Sequence, residues 1–152
     1  MLHLKRTKAD DPDFVYLIEL LDKDLWLRYP DTQQNYVAFN SVNLDFRVIV
    51  AYDAGMPVGC GCYKETKNDN VVEMKRIYVK ENVRGKGIAK EVLSTLEQWA
   101  IEEGNHSAIL ETGINQPESL SLYKKIGYTV IDKYEPYVYS EESICMGKKL
   151  DY

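Results

Sequence analysis

MKRIYVKENVRGKGIAKEVLSTLEQWA, residues 74–100, changes its periodicity part-way along. MKRIYV alternates in the manner of a strand. A loop with two glycines, Gly85 and Gly87, follows. Ile88, Ala89, Val92, Leu93, Leu96, Trp99 and Ala100 then fall on one face of a helix that Gly104 closes. A strand that runs through a glycine loop into a helix is the outline of several unrelated phosphate-binding sites. What this loop holds decides the fold.

Outward from that stretch, the rest of the chain divides into short alternating and helical runs. LHLKR (2–6) reads as a first strand. DDPDFVYLIELLDKDLWL (10–27) carries an Asp cap, Pro12 in the first turn, and Phe14, Leu17, Ile18, Leu21 and Leu25 at helical spacing. RYPDTQQNYVAFNSVN (28–43) fits a loop with or without a short second helix. FRVIVAYDAGMPVGCGCYKE (46–65) reads as a hairpin around DAGM, and NDN (68–70) turns the chain into VVEMKRIYVK (71–80). Beyond the long helix, HSAILETGI (106–114) is a strand and PESLSLYKKIG (117–127) a short helix. YTVIDKY (128–134) and SICMGKKL (143–150) supply two last strands around the tyrosine-rich EPYVYSEE. The predicted order is β-α-β-β-β-α-β-α-β-β, one α/β (α+β) domain over residues 1–152 with a mixed sheet.

Three phosphate-loop readings compete. A P-loop requires Gly-x-x-x-x-Gly-Lys-Ser/Thr, and neither spacing nor hydroxyl is present. A dinucleotide fingerprint requires a third glycine where Lys90 stands, after the first strand of its unit. The third pattern, Arg/Gln-x-x-Gly-x-Gly/Ala, is met by Arg84-Gly85-Lys86-Gly87-Ile88-Ala89. Glycines let a ligand approach the backbone, and the N–H groups of the first helical turn favour an anion there. Lys75, Arg76, Lys80, Arg84, Lys86 and Lys90 form a basic cluster with Glu81 its one acid, and it coincides with the loop.

Composition bounds the alternatives. With 152 residues, 45% hydrophobic and 28% charged, the chain suits one globular core. No run approaches the roughly 18 apolar residues of a membrane span, and the N-terminus lacks a signal-peptide core, so a cytoplasmic location is expected and no membrane partner. A net charge of −5 gives nucleic-acid binding no general support. Cys60, Cys62 and Cys145 are an odd number, which fits a reducing compartment. His3 and His106 lie far from Cys60-Gly-Cys62 in sequence, so no metal site is expected and the two cysteines read as small buried strand residues.

With MKRIYV before the loop and SLYKKIGY (121–128) after it, the chain resembles the GNAT superfamily of N-acetyltransferases. The resemblance runs from Val71 to Tyr128 and extends in element order over the rest. MKR-Y-V and TG--QPE---LY are similar to small bacterial members. The resemblance implies a mainly antiparallel sheet with splayed central strands and acetyl-CoA as cosubstrate. On that reading Arg84, Gly85, Lys86, Gly87, Ile88 and Ala89 hold the coenzyme's pyrophosphate. Ile77, Tyr78 and Val79 pair through their backbone with the pantetheine amides. Many members place an asparagine seven residues before the tyrosine of the LY pair; here Gln116 stands there and Asn115 beside it, so either amide could serve. Ser119 and Lys125 are further expected contacts.

Transfer to an amine requires a base, an oxyanion donor and a proton for the leaving thiolate. The resemblance assigns the acid to Tyr123. It places the base at Glu73, six residues before Val79, with Glu111 on the neighbouring strand as rival. Strand alternation sets Glu73 on one side with Lys75 and Ile77. An alternative is an acyl-CoA-binding sensor that keeps the loop without turnover. The expected acceptor is a small-molecule or peptide amine, met by the first helix region and by Tyr134, Tyr137 and Tyr139 with their acidic neighbours. Polyamine, amino acid, antibiotic and protein amine all stay open, and a homodimer is possible.

Overall fold

The computed structural model describes residues 1–30 and 41–150. The segment read as a loop with an optional helix falls largely on residues 31–40, outside the described residues. Among the described residues, seven strands and three α-helices follow the predicted order: β1 (Leu2–Thr7), α1 (Pro12–Arg28), β2 (Arg47–Asp53), β3 (Met56–Glu65), β4 (Val71–Val79), α2 (Ile88–Glu102), β5 (Ser107–Gly113), α3 (Pro117–Lys125), β6 (Thr129–Val130) and β7 (Ser143–Lys149). They form one sheet in the order β1-β2-β3-β4-β5-β7-β6. Only β4 and β5 run parallel, joined through α2; the other neighbours are antiparallel.

Local chemistry accounts for most of these elements. Asp11 caps α1, its carboxylate accepting the Asp13 N–H at 2.9 Å, and Pro12 opens the helix. The β2–β3 hairpin turns on Ala54 and Gly55, both at positive φ, as a tight primed turn requires. Helix α1 covers one face of the sheet with Phe14, Leu17 and Leu21 against Val48, Val50 and Tyr78. Helix α2 covers the other with Val92, Leu93 and Leu96 against Ile49, Val72 and Met74. Gly61 permits that approach: a Cβ there would lie 2.5 Å from Ile77 Cδ1 and 3.0 Å from Val92 Cγ1.

Two departures from regular pairing shape the centre. Cys60 faces Tyr78 while Cys62 faces Lys75, so β4 carries one residue more than β3 between those pairs. The extra residue is Arg76, at φ 59°. The alternation expected along β4 therefore breaks. Glu73 and Lys75 share a face, but Ile77 swings to the opposite one, where it packs with Val92 and Leu96. The second departure lies between β4 and β5. Their ladder runs from Val71–Ser107 to Met74–Leu110 and stops, although β4 continues to Val79 and β5 to Gly113. The two strands part there, as the resemblance implies.

The last strands differ from the reading of YTVIDKY. Only Thr129 and Val130 pair, against Gly147 and Met146. From Asp132 the chain turns away from the sheet, and Tyr134 is drawn to Glu73 instead. Among the described residues, no helix is long and apolar enough to cross a membrane.

Candidate active site

Two cavities meet where β4 and β5 separate. The larger, of about 330 Å³, is bounded by β4, the glycine loop, α2 and α3. Ile77, Tyr78 and Val79 present their strand edge to it. Past Met74, among the described residues, no strand pairs with β4 on that side, so an extended ligand can take the place of a strand. Arg84, Gly85, Gly87, Ile88 and Ala89 form its end wall.

The loop is built to show backbone. Gly85 and Gly87 sit at φ 82° and 81°, which favours glycine at both positions. Gly87 caps α2 without a side-chain bond, leaving the N–H groups of the first turn for a ligand. Arg84 is steadied by its Nε–H, which donates to the Val79 carbonyl at 2.9 Å, and by the Tyr78 ring 5.6 Å away. Lys90 joins the wall, whereas the exposed Lys86 does not.

The basic cluster therefore divides. Arg84, Lys86 and Lys90 stand at the loop or the start of α2, but Lys75 and Arg76 are buried inside the fold. Arg76 pairs with Asp22 of α1 at 2.5 Å and reaches the Ile18 carbonyl. Lys75 points into the second cavity.

From α3, Ser119 and Tyr123 line the larger cavity. Lys125 is exposed and lies outside it. Of the two amides, Gln116 lines the wall while Asn115 donates through Nδ2 to the Arg28 carbonyl at 3.2 Å. Gln116 Oε1 is held by the Gly113 N–H at 3.2 Å and the Tyr29 hydroxyl at 3.4 Å. Arg28 adds an ion pair to Glu118 and a hydrogen bond to the Asn115 carbonyl. The end of α1 is thus tied to the start of α3, a connection with no local sequence signal.

The smaller cavity, about 90 Å³, is lined by Glu73, Lys75 and Arg76 from β4, by Glu111 and Thr112 from β5, and by Tyr137. Leu21, Ile77, Gln116 and Tyr123 line both cavities. Glu73, 5% exposed, accepts from the Tyr134 hydroxyl at 3.0 Å, and the Lys64 ammonium stands 3.7 Å away. Glu111 accepts from the Ser143 hydroxyl at 2.6 Å, and burial raises its pKa above the ordinary carboxylate value. Burial likewise raises the Tyr123 phenol, with the Glu111 charge adding to it. Lys75 donates to the Tyr137 hydroxyl at 3.4 Å, and burial lowers its pKa.

The tyrosine-rich segment splits in function. Tyr134 and Tyr137 turn inward and meet edge to face, with ring centroids 5.6 Å apart. Tyr139, 93% exposed, points to solvent. Cys60 and Cys62 are buried and donate to the carbonyls of Arg76 and Lys75. Among the described residues, no group of three or more His, Cys, Asp or Glu side chains could hold a metal.

The geometry is that of an extended cleft opening onto a polar pocket. The family model for acetyltransferases (GNAT) matches residues 12–128. The chain belongs to the acetyltransferase (GNAT) family. It is 32% identical to the IAA acetyltransferase of Azospirillum brasilense over 90% of each chain. A crystal structure from Klebsiella pneumoniae, classed as an acyl-CoA N-acyltransferase, superposes with a TM-score of 0.82 at 28% identity over 99% of both chains. The PaiA N-acetyltransferase of Thermoplasma acidophilum, solved with coenzyme A, shares the fold at a TM-score of 0.76 and 19% identity, over 98% of this chain and 99% of that one. This GNAT protein is accordingly an N-acetyltransferase, of the acyltransferase class.

Proposed function

We propose that the protein moves an acetyl group from acetyl-CoA directly to a primary amine, with both substrates bound together. The observation that carries this reading is the shared wall: Ile77, Gln116 and Tyr123 line the cleft and the polar pocket at once. A thioester lying along β4 and an amine in the smaller cavity would meet there. The cleft fits acetyl-CoA because its end wall offers uncapped N–H groups with Arg84 and Lys90, and its side wall an unpaired strand edge. When bound, acetyl-CoA supplies an activated acyl carbon and a thiolate leaving group.

The chain's own residues supply the proton handling. Glu73 accepts the amine's proton through a water molecule, and the Tyr134 hydroxyl orients its carboxylate. Glu111 is the second candidate base, favoured by its raised pKa, which suits an acceptor of protons better than an ordinary carboxylate does. Tyr123, 7% exposed and raised by burial, keeps its proton at neutral pH and directs it to the departing sulfur as acid. Backbone N–H groups near Val79 meet the negative charge that develops on the acyl oxygen. The reading carries with it a cytoplasmic location, supported by Cys60, Cys62 and Cys145 all being free thiols.

The test is release of free coenzyme A from acetyl-CoA across a panel of primary amines. Wild-type protein should release thiol only when an acceptor is present. Tyr123→Phe should lower kcat by roughly 10² or more, the range for losing a positioned acid, while acetyl-CoA binding stays close to wild type. Unchanged turnover would remove the acid role from Tyr123.

A further inference from the structure

The smaller cavity carries charge of both signs, and the acetyl-transfer reading uses one of them. Glu73 and Glu111 attract an ammonium and accept its proton. Lys75 lies among them, 9% exposed, with its ammonium on the Tyr137 hydroxyl at 3.4 Å. A buried lysine opposes an incoming amine by like charge, and burying it has a desolvation cost. A simple amine or a polyamine has no group to pair with it. Arg76, the other cation on this wall, is committed to Asp22 and the Ile18 carbonyl. Glu73 and Glu111 act on Lys75 from the same wall and hold it toward its charged form against burial. The cavity's volume of about 90 Å³ lies well below the several hundred Å³ typical of drug-sized sites. It suits a compact molecule.

We propose that the acceptor is a small zwitterion of the amino-acid class, its amine toward Glu73 and Glu111 and its carboxylate toward Lys75 and the Tyr137 hydroxyl. This rests on the acetyl-transfer reading of the same site and names its substrate class. The carboxylate would join Glu73 and Glu111 as a counter-charge to Lys75, with the Tyr137 hydroxyl beside it. It also fixes the molecule's direction, turning the amine to the wall shared with the cleft. The amine nitrogen bonds to the acyl carbon as the C–S bond breaks. The amine's proton leaves toward the carboxylates, and the sulfur is protonated from the Tyr123 side.

The experiment compares common L-amino acids, each with its decarboxylated counterpart, in two readouts. One is calorimetric binding to the protein saturated with coenzyme A, which needs no turnover; the other is kcat/KM by thiol release. For at least one pair the amino acid should be preferred by about 10- to 100-fold, the value of one hydrogen bond to a charged group. Lys75→Met should cut that ratio by a similar factor, through KM more than kcat, and Lys75→Arg should restore part of it. A wild-type ratio near one, preference for polyamines or peptide amines, or a ratio that Lys75→Met leaves unaltered would each overturn the proposal. The wild-type ratio decides even if Lys75→Met folds poorly. Amino-acid binding without turnover would uphold the acceptor class and overturn the transfer chemistry. Turnover without any preference would do the reverse.

Discussion

Glu111 lines the polar pocket and Tyr123 the junction of the two cavities, and burial raises the pKa of each. For the phenol this keeps the proton in place at neutral pH and also makes it a weaker acid, so donation to sulfur waits on the negative charge of the departing thiolate. For the carboxylate it makes a stronger base that is also protonated sooner as pH falls. The acidic limb of kcat/KM reports whichever group accepts the proton. If Glu73 is the base, Glu73→Gln should flatten that limb and Glu111→Gln should leave its position unchanged. A limb that sits above the ordinary carboxylate range and disappears in Glu111→Gln would transfer the role to Glu111. A pH profile of the two variants beside wild type separates these outcomes. At this scale the sequence exposed Tyr123 and the two glutamates through their motif. It hid Lys75 inside an apparent surface cluster, because the contact that defines it comes from Tyr137, far along the chain. Glu97 was hidden in the same way: it sits on the packed face of α2 because the Tyr128 hydroxyl and the Lys148 ammonium reach it at 2.8 and 2.9 Å.

Elements were legible wherever local chemistry dictated them. The glycine loop, the cap at Asp11, the DAGM turn and the faces of α1 and α2 all follow from short patterns. The bulge in β4 does not, since Arg76 holds a left-handed backbone without being glycine, and nothing in MKRIYV marks it. Strand β6 shrank for a related reason: the bond from Tyr134 to Glu73 competes with continued pairing, and only the folded site reveals that competition. Opposite the bulge, Gly61 lies under Ile77, Val92 and Leu96. Gly61→Val should force those side chains apart and cost about 1–3 kcal/mol. A lower midpoint in urea with an unchanged slope is the expected result. A loss below about 0.5 kcal/mol, within the usual range for surface substitutions, would mean that α2 does not press on β3 as described.

For the whole molecule, the cleft is walled by β4, the glycine loop, α2 and α3 together, so filling it should stabilise the fold as a unit. Acetyl-CoA at about 100 times its Kd should add roughly 2.7 kcal/mol and raise the unfolding midpoint, with inorganic phosphate as the control. No shift would remove the Arg84–Ala89 loop as the coenzyme site. The general architecture was legible because the strand and helix periods alternate along the chain; the tie from Arg28 and Tyr29 to Asn115 and Glu118 was not, because it joins distant segments. One further consequence attaches to the extra residue in β4. Lys75 and Arg76 both stand on the α1 side, so deleting Arg76 would restore regular alternation and leave Ile77 and Val79 toward α2 and Tyr78 toward α1, whereas a regular strand that kept Arg76 would reverse all three. Losing the residue would remove the cation that pairs with Asp22, whereas flattening the bulge around it would turn the strand inside out. The kink is what lets one strand show two successive cations, Lys75 and Arg76, to the same side of the sheet.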